Sequence, residues 1–414
     1  MAQEPRRAAL AFIFITVMLD MLSIGTIVPV LPKLVEHFTN GDTARAAEMI
    51  GIFATVWAVM QLFSMPVMGA LSDRFGRRPV ILASNFGLGA DFVLMAMSQS
   101  LAWLFVGRLI SGITAASIST ASAYIADVTL PEKRSGAFGL LGAAFGVGFV
   151  LGPVVGGVLG EIDPRLPFWA SAGLSLCNFG YGLFVLPESL TAEKRAPFEW
   201  KKANPVGALF MVKNHKGLTG LSVVAFLGFV AHVALPAIFV LYAGHRYNWD
   251  TRTVGLTLAT VGVASMVVQA VLIKPIVARL GERNTMLLGL ACGVAGFAAM
   301  GLAPNGAIFW LSVPLNSLWG LSGPPMQSLM SQRVGPNEQG QLQGAIGAMR
   351  AISEIIGPSI FTGSFAFFVR SKDVQLPGAP FLISSALILV SLLMATRLAA
   401  GARAAPVIDQ QQAD

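Results

Sequence analysis

The chain has 414 residues, of which 55% are hydrophobic and only 12% charged, with 28 basic and 21 acidic side chains and a formal net charge of +7. A soluble domain usually carries about 25% charged residues, so a globule of this length could not cover its surface. The basic residues sit in short connections between apolar runs, so positive-inside bias is a simpler reading of the net charge than a nucleic-acid surface.

In chain order, apolar runs fall at 8–32, 48–71, 79–98, 101–123, 136–160, 168–187, 217–242, 253–274, 284–302, 306–330, 341–368 and 378–398. Each can cross a ~30 Å hydrocarbon layer as a helix rising 1.5 Å per residue. Helices satisfy their own backbone hydrogen bonds in lipid, and the ~10-residue alternation of a membrane barrel does not occur. The expected fold is all-α, with twelve transmembrane helices in two pseudo-symmetric six-helix bundles. The first run follows Arg6 and Arg7 and contains Asp20, Pro29 and Pro32, so it reads as a span and not as a cleavable signal. A polar stretch, 188–216, links an N-terminal bundle (1–187) to a C-terminal one (217–398), and 399–414 reads as a flexible cytoplasmic tail. Within the linker, Phe198, Trp200, Val206, Leu209, Phe210 and Val212 fit either a short interfacial helix or a plain connection.

Twelve spans put both termini on one side. Nineteen Lys and Arg fall in that side's connections and seven in the other's, with Arg108 and Arg350 inside spans. That bias predicts cytoplasmic termini and a multi-pass protein of a bacterial inner membrane. Cys177 and Cys292 lie in apolar runs and suggest neither a disulfide framework nor a metal site.

Between spans two and three stands Gly69-Ala-Leu-Ser-Asp73-Arg74-Phe-Gly76-Arg77-Arg78. Its charges serve either as a topology anchor or as a latch across a helix seam, with Asp73 available to a helix dipole or an arginine. A weaker copy, Lys274 to Arg283 with Arg279, Gly281 and Glu282, follows the second span of the second half. Span five reads Gly139, Gly142, Gly146, Gly148, Gly152-Pro153, Gly156-Gly157 and Gly160, a nearly bare helix face that admits a close neighbour. Together these segments resemble the signature loop and the antiporter signature of the major facilitator superfamily. Leu19-Asp20, Gly25, Pro29 to Pro32, Gly107-Arg108, Ser111 to Thr114, Tyr124 to Asp127, Gln339 to Gly344 and Ile356-Gly357-Pro358 extend the likeness to its drug/proton antiporters, most closely the tetracycline/proton antiporters. The resemblance implies conformational-gate roles for Gly69, Asp73, Arg74, Gly76, Arg77, Arg78, Asp127, Gly152, Pro153 and Gly156. The second half departs from the antiporter pattern: Cys292 stands at an acidic position and Ser265 at a histidine position, while Gln269 fits.

Ionisable groups inside a span are expensive and usually functional. Asp20, Asp91 and Arg108 are the proton-coupling candidates, against buried structural hydrogen bonds or a salt bridge of Arg108 with Asp20. Arg350 and Glu354, four residues apart on one helix face, read either as a self-neutralising pair or as contacts for the anionic part of a substrate. Gln61, Asn85, His232, Gln269, Asn316 and Gln327 are further substrate-path candidates, with Asn178 a polar group of the same kind. No ligand spacing predicts a metal and no Gly-rich loop ending in Lys-Ser/Thr predicts ATP binding. The expected protein is therefore a non-enzymatic, monomeric carrier without cofactor, driven by a proton gradient, whose partners are a small molecule, protons and lipids, with no nucleic acid. Proton-coupled export of a small amphipathic compound or drug is the leading function, from a site near the midplane between the halves. Import or facilitation of an organic anion or metabolite, and a non-transporting sensor or scaffold, are the alternatives.

Overall fold

The computed structural model describes residues 4–114, 117–129, 134–190, 193, 195, 218–334 and 339–401. Most of the polar linker and the end of the tail lie outside these residues, as does the interfacial-helix reading. Helix dominates, and no strand occurs among the described residues. In chain order the helices are α1 (Glu4–Ile27), α2 (Leu31–Phe38), α3 (Thr43–Phe75), α4 (Arg77–Ala96), α5 (Leu101–Thr114), α6 (Ser117–Val128), α7 (Arg134–Ile162) and α8 (Leu166–Val185). They continue with α9 (Leu218–His232), α10 (Ala234–Tyr247), α11 (Thr251–Val267), α12 (Ile273–Leu302), α13 (Gly306–Ser317), α14 (Gly323–Ser331), α15 (Gln339–Arg370) and α16 (Ala379–Gly401).

Several spans are broken where the sequence demands it. Proline lacks the N–H and crowds the preceding turn; Pro29 lies between α1 and α2, Pro32 stands in the first turn of α2, and Pro236 stands in the first turn of α10 beyond the break at Val233. Between α13 and α14 the chain tightens into a 3₁₀ turn, Leu318–Ser322, before Pro324 and Pro325. A π-turn, Val268–Leu272, joins α11 to α12. Gly281, at φ +75° and ψ 164°, ends one helical pass and starts the next inside α12. Nine apolar segments long enough to cross a membrane occur among the described residues, one of them the 52-residue stretch Thr251–Leu302 that Gly281 divides. Counting that division and the shorter helices of the α5–α6 and α13–α14 regions, the architecture is consistent with twelve passes, at the positions the apolar runs predicted.

The chain forms two compact units. The first comprises Met1–Pro205, Val233–Ala264 and Glu354–Pro380; the second comprises Val206–His232, Ser265–Ser353 and Phe381–Asp414. In the first, α1 packs most extensively on α7 and α8, and α4 on α8 and α5. Ile13, Val17, Met21, Ile81, Tyr124 and Ile125 form an apolar cluster there. In the second, α12 is the central element, packed on α13, the 3₁₀ turn and α14. Phe297, Phe309 and Phe381 are fully buried and in ring contact.

Candidate functional site: two buried carboxylates and a charged latch

Asp20 and Asp91 are both fully buried, at 0% exposure, and each is held in a different way. Asp20 lies midway along α1, where the Asn178 amide of α8 donates to its Oδ1 at 2.8 Å and to the Thr16 carbonyl at 2.9 Å. In the amide orientation that the hydrogen-bond pattern requires, Asn85 of α4 donates to both Asp20 oxygens at 3.2 and 3.3 Å and accepts from Asn178 at 3.1 Å. Three helices thus meet at one carboxylate through two amides. Asp91 lies on α4 facing α5, where Arg108 Nη2 donates to its Oδ2 at 3.4 Å and also contacts Met95 Sδ at 2.9 Å. Gly107 lets the helices come this close, since a Cβ there would sit 2.6 Å from Asp91 Oδ1. The ion pair of Arg108 is with Asp91, where the sequence had offered Asp20 as the structural partner.

The loop after α3 is a latch among four segments. Gly76, at φ +109° and ψ 162°, turns α3 into α4 in a region open essentially to glycine alone. Arg77 then donates to Asp73 at 2.5 Å, Ser72 at 2.7 Å and Asp127 at the end of α6 at 3.0 Å. Glu188, beyond α8, accepts from the backbone N–H of Arg77 at 2.8 Å and of Arg78 at 3.3 Å, satisfying two donors that a helix N-terminus leaves open. Arg78 donates to the Leu183 carbonyl at 2.6 Å, and Arg74 lies over the Phe75 ring. Gly69 has open space around it.

The glycine face of span five packs on α1 at four-residue steps. A Cβ on Gly148 would lie 2.4 Å from Met21 Cβ, one on Gly152 2.7 Å from Gly25 Cα, and one on Gly156 would overlap the Thr26 carbonyl. On its other side the same stretch meets α11, where Gly255 approaches the Pro153 carbonyl and Gly157 approaches Thr251. At that end of the unit α15 also closes on α3. Thr55 donates to the Ile355 carbonyl at 3.0 Å and meets Ser359 at 3.2 Å, Gly51 faces Thr362, and Arg370 pairs with Glu48.

The remaining candidates are dispersed. Gln61 is half-buried on α3, Gln269 is exposed on the π-turn, and Glu354 is half-buried on α15. Asn316 is buried against Gly296, and its Oδ1 has no partner among the described residues. Gln327 donates to Gln343 at 3.0 Å. His232 lies 5.7 Å from the Trp319 ring, and the Arg350 guanidinium 5.2 Å from that of Phe229. Among the described residues no cluster of His, Cys, Asp and Glu has metal-site geometry.

Sequence reasoning did not single out Glu188 as part of the latch, nor the Glu48–Arg370 pair. Their partners stand 111 and 322 residues away, and no local spacing signals such a contact. The π-turn beneath Gln269 had no sequence signal either.

The sequence pattern of the Major Facilitator Superfamily matches residues 13–358. The class C tetracycline resistance protein of Escherichia coli is 37% identical over 387 residues, covering 93% of this chain and 95% of that protein. The class G protein of Vibrio anguillarum is 34% identical over 360 residues, covering 87% and 91%. In fold, the nucleoside transporter NupG superposes with a TM-score of 0.77 at 14% identity, covering 94% of this chain and 98% of that one. A multi-pass helical chain with a buried Asp–Arg pair, a glycine-faced fifth span and a charged latch after its second span is thus matched along most of its length, and it belongs to the Major Facilitator Superfamily.

Proposed function

We propose that the protein is a proton-coupled exporter of a small amphipathic compound, of the kind that the named tetracycline resistance proteins represent, in a bacterial inner membrane with both termini cytoplasmic. The observation that carries this reading is the Asp91–Arg108 pair, a carboxylate and a guanidinium buried together within the spans. Protonation of Asp91 removes the charge that holds Arg108, and loss of the proton restores it. Asp20, gripped by Asn85 and Asn178, joins α1, α4 and α8 at one titratable group. A proton arriving at either site therefore changes how neighbouring helices are tied. Coupling follows when proton and substrate bias the same conformational equilibrium in opposite senses.

The latch and the α3–α15 seam supply the conformational elements in this reading. Each holds separate helices by charge and hydroxyl contacts that can be broken and remade, as alternate opening requires. Gln61, Gln269, Asn316, Gln327, Arg350 and Glu354 are the substrate-path residues, no resident cofactor is involved, and the carrier works as a monomer in lipid.

Proteoliposomes holding the full chain, loaded with a panel of amphipathic compounds and a pH dye, test the reading. Uphill substrate movement driven by opposing proton flow is the expected result. Asp91→Asn should abolish uphill transport by at least tenfold and leave downhill exchange measurable; unchanged uphill transport in Asp91→Asn and Asp20→Asn together would reject the assignment. Substrate equilibration that ignores the pH gradient would favour the facilitator alternative.

A further inference from the structure

Arg350 stands about 13 Å along α15 from Gln341, the first residue of a helical segment long and apolar enough to cross a membrane. Its residue is exposed, and no hydrogen bond or ion pair of its guanidinium is found among the described residues. What it does have is the ring of Phe229, with the guanidinium carbon over the ring at 5.2 Å from its centroid. A cation–π contact uses no N–H donor, and the guanidinium fork matches a carboxylate or sulfonate with two parallel hydrogen bonds.

The aromatic surface continues beyond Phe229. His232 follows three residues later on the same face of α9 and meets Trp319 at 5.7 Å. Trp319 is itself firmly seated. Gly293 leaves room for it, since a Cβ there would lie 2.8 Å from the indole, and Phe297 packs edge-on at 5.6 Å. A guanidinium with open donors therefore sits at one end of a tract of rings contributed by three segments of the second unit.

We propose that Arg350, Phe229, His232 and Trp319 form a subsite for an aromatic organic anion, the guanidinium taking its carboxylate or sulfonate and Trp319 and His232 flanking its ring. A cationic compound would be repelled by Arg350, and an aromatic ring carrying the anion gains the flanking Trp319 and His232 that a bare phosphate cannot use. The inference rests on the export reading for its physiological sense and names the charge and shape of that reading's cargo.

The test measures equilibrium binding to the full chain in phosphatidylcholine nanodiscs, using 1-naphthoate, the neutral 1-naphthamide and the cationic 1-naphthylmethylammonium as probes. The acid should bind about tenfold or more tighter than the amide, the size of a charge-assisted contact, and the cation weakest. Arg350→Gln should remove that preference while amide affinity stays within about twofold, and Trp319→Ala should weaken acid and amide alike. If Arg350→Gln does not fold, Arg350→Lys decides, because it keeps the charge and loses the fork; a selective loss for the acid is expected. Equal binding of acid and amide, no binding of the acid, or an equal loss of both in the Arg350 variant overturns the proposal. Because binding is read without a pH gradient, failure of proton-driven flux alone would strike the export reading and leave the subsite standing.

Discussion

The loop after α3 and the loop inside α12 use the same backbone and different chemistry. Gly76 and Gly281 both take positive φ with extended ψ, at +109°/162° and +75°/164°, so each turns one membrane pass into the next through a conformation that side chains resist. In the first copy the residue after the glycine is Arg77, tied to two carboxylates, with Glu188 closing the helix start. In the second it is Glu282, which accepts from Ser328 Oγ at 2.6 Å and from Gln332 Nε2 at 3.0 Å on and just after α14. The second loop thus reaches the end of its own unit's α14 as the first reaches the end of α6, with the charge reversed and the carboxylate partners replaced by neutral donors. The turn is fixed by sterics and survives in both copies, whereas among the described residues an ion network is found only at the first. The strong latch is therefore expected in the first unit.

The largest effect that would break this contrast comes from Arg77→Glu, which sets a third carboxylate beside Asp73 and Asp127. The Arg77 side chain is 12% exposed, but Asp127 is 22% and Asp73 52% exposed, so solvent screens the cluster. The loss of both pairs with the new repulsion should reach about 2–4 kcal/mol, short of a fully buried pair. It should appear as a collapsed unfolding temperature in detergent and lost transport. Recovery of stability on adding Asp127→Arg would confirm direct pairing; no recovery would remove Asp127 from the latch.

Replacing the two glycines sharpens the comparison further. Gly281→Ala carries backbone strain alone, since nothing lies within 4 Å of the new Cβ, for about 1–3 kcal/mol. Gly76→Ala adds a collision with the Glu188 carboxylate, 2.3 Å away, and should cost about 2–4 kcal/mol. Thermal unfolding of the two variants should rank them in that order. In Gly76→Ala, adding Glu188→Ala should relieve the collision and narrow the gap, whereas equal costs for the two glycines would deny Glu188 its place at the turn.

At the second loop, Glu282→Gln keeps an oxygen for Ser328 and Gln332 and loses only the charge. It should cost about 1 kcal/mol, a charged hydrogen bond exchanged for a neutral one, against several for Arg77→Glu. A loss as large as that of the Arg77 variant would erase the asymmetry.

How much of this was legible in the sequence depends on the range of the interaction. Hydropathy against a fixed bilayer thickness marked the passes, and four-residue glycine spacing marked the face of α7 that accepts α1, because both are local regularities. Asp20, Asp91 and Arg108 stood out as charges in apolar runs. Which of them meet was not written there: the rotation of α4 against α5 brings Arg108 to Asp91, and that of α1 against α8 brings Asn178 to Asp20. Hydropathy fixes how deep a residue lies and is nearly silent on the azimuth of a helix that is apolar all round. Glu188 lay in plain view at the start of the polar linker, but its role as a helix cap depends on where the chain returns after six passes.

The repeat also holds at the far ends of the same spans, and there its effect is smallest. Asp42 caps α3 by accepting from Arg45 N at 2.9 Å, and Asp250 caps α11 by accepting from Thr253 N at 2.7 Å. Hydrogen bonds from Thr253 hold the Asp250 carboxyl below its ordinary range. A carboxyl bound more weakly to its proton when folded than when unfolded adds stability above the unfolded value near 3.9, and that contribution fades as pH falls through the folded value. Asp250→Asn keeps a capping oxygen and should cost only a few tenths of a kcal/mol at neutral pH. The gap between the two proteins should stay constant above about pH 5 and close on further acidification. A gap that widens with acid would mean that the ionised Asp250 destabilises the folded chain, and the cap would then act in the first of the paired spans alone.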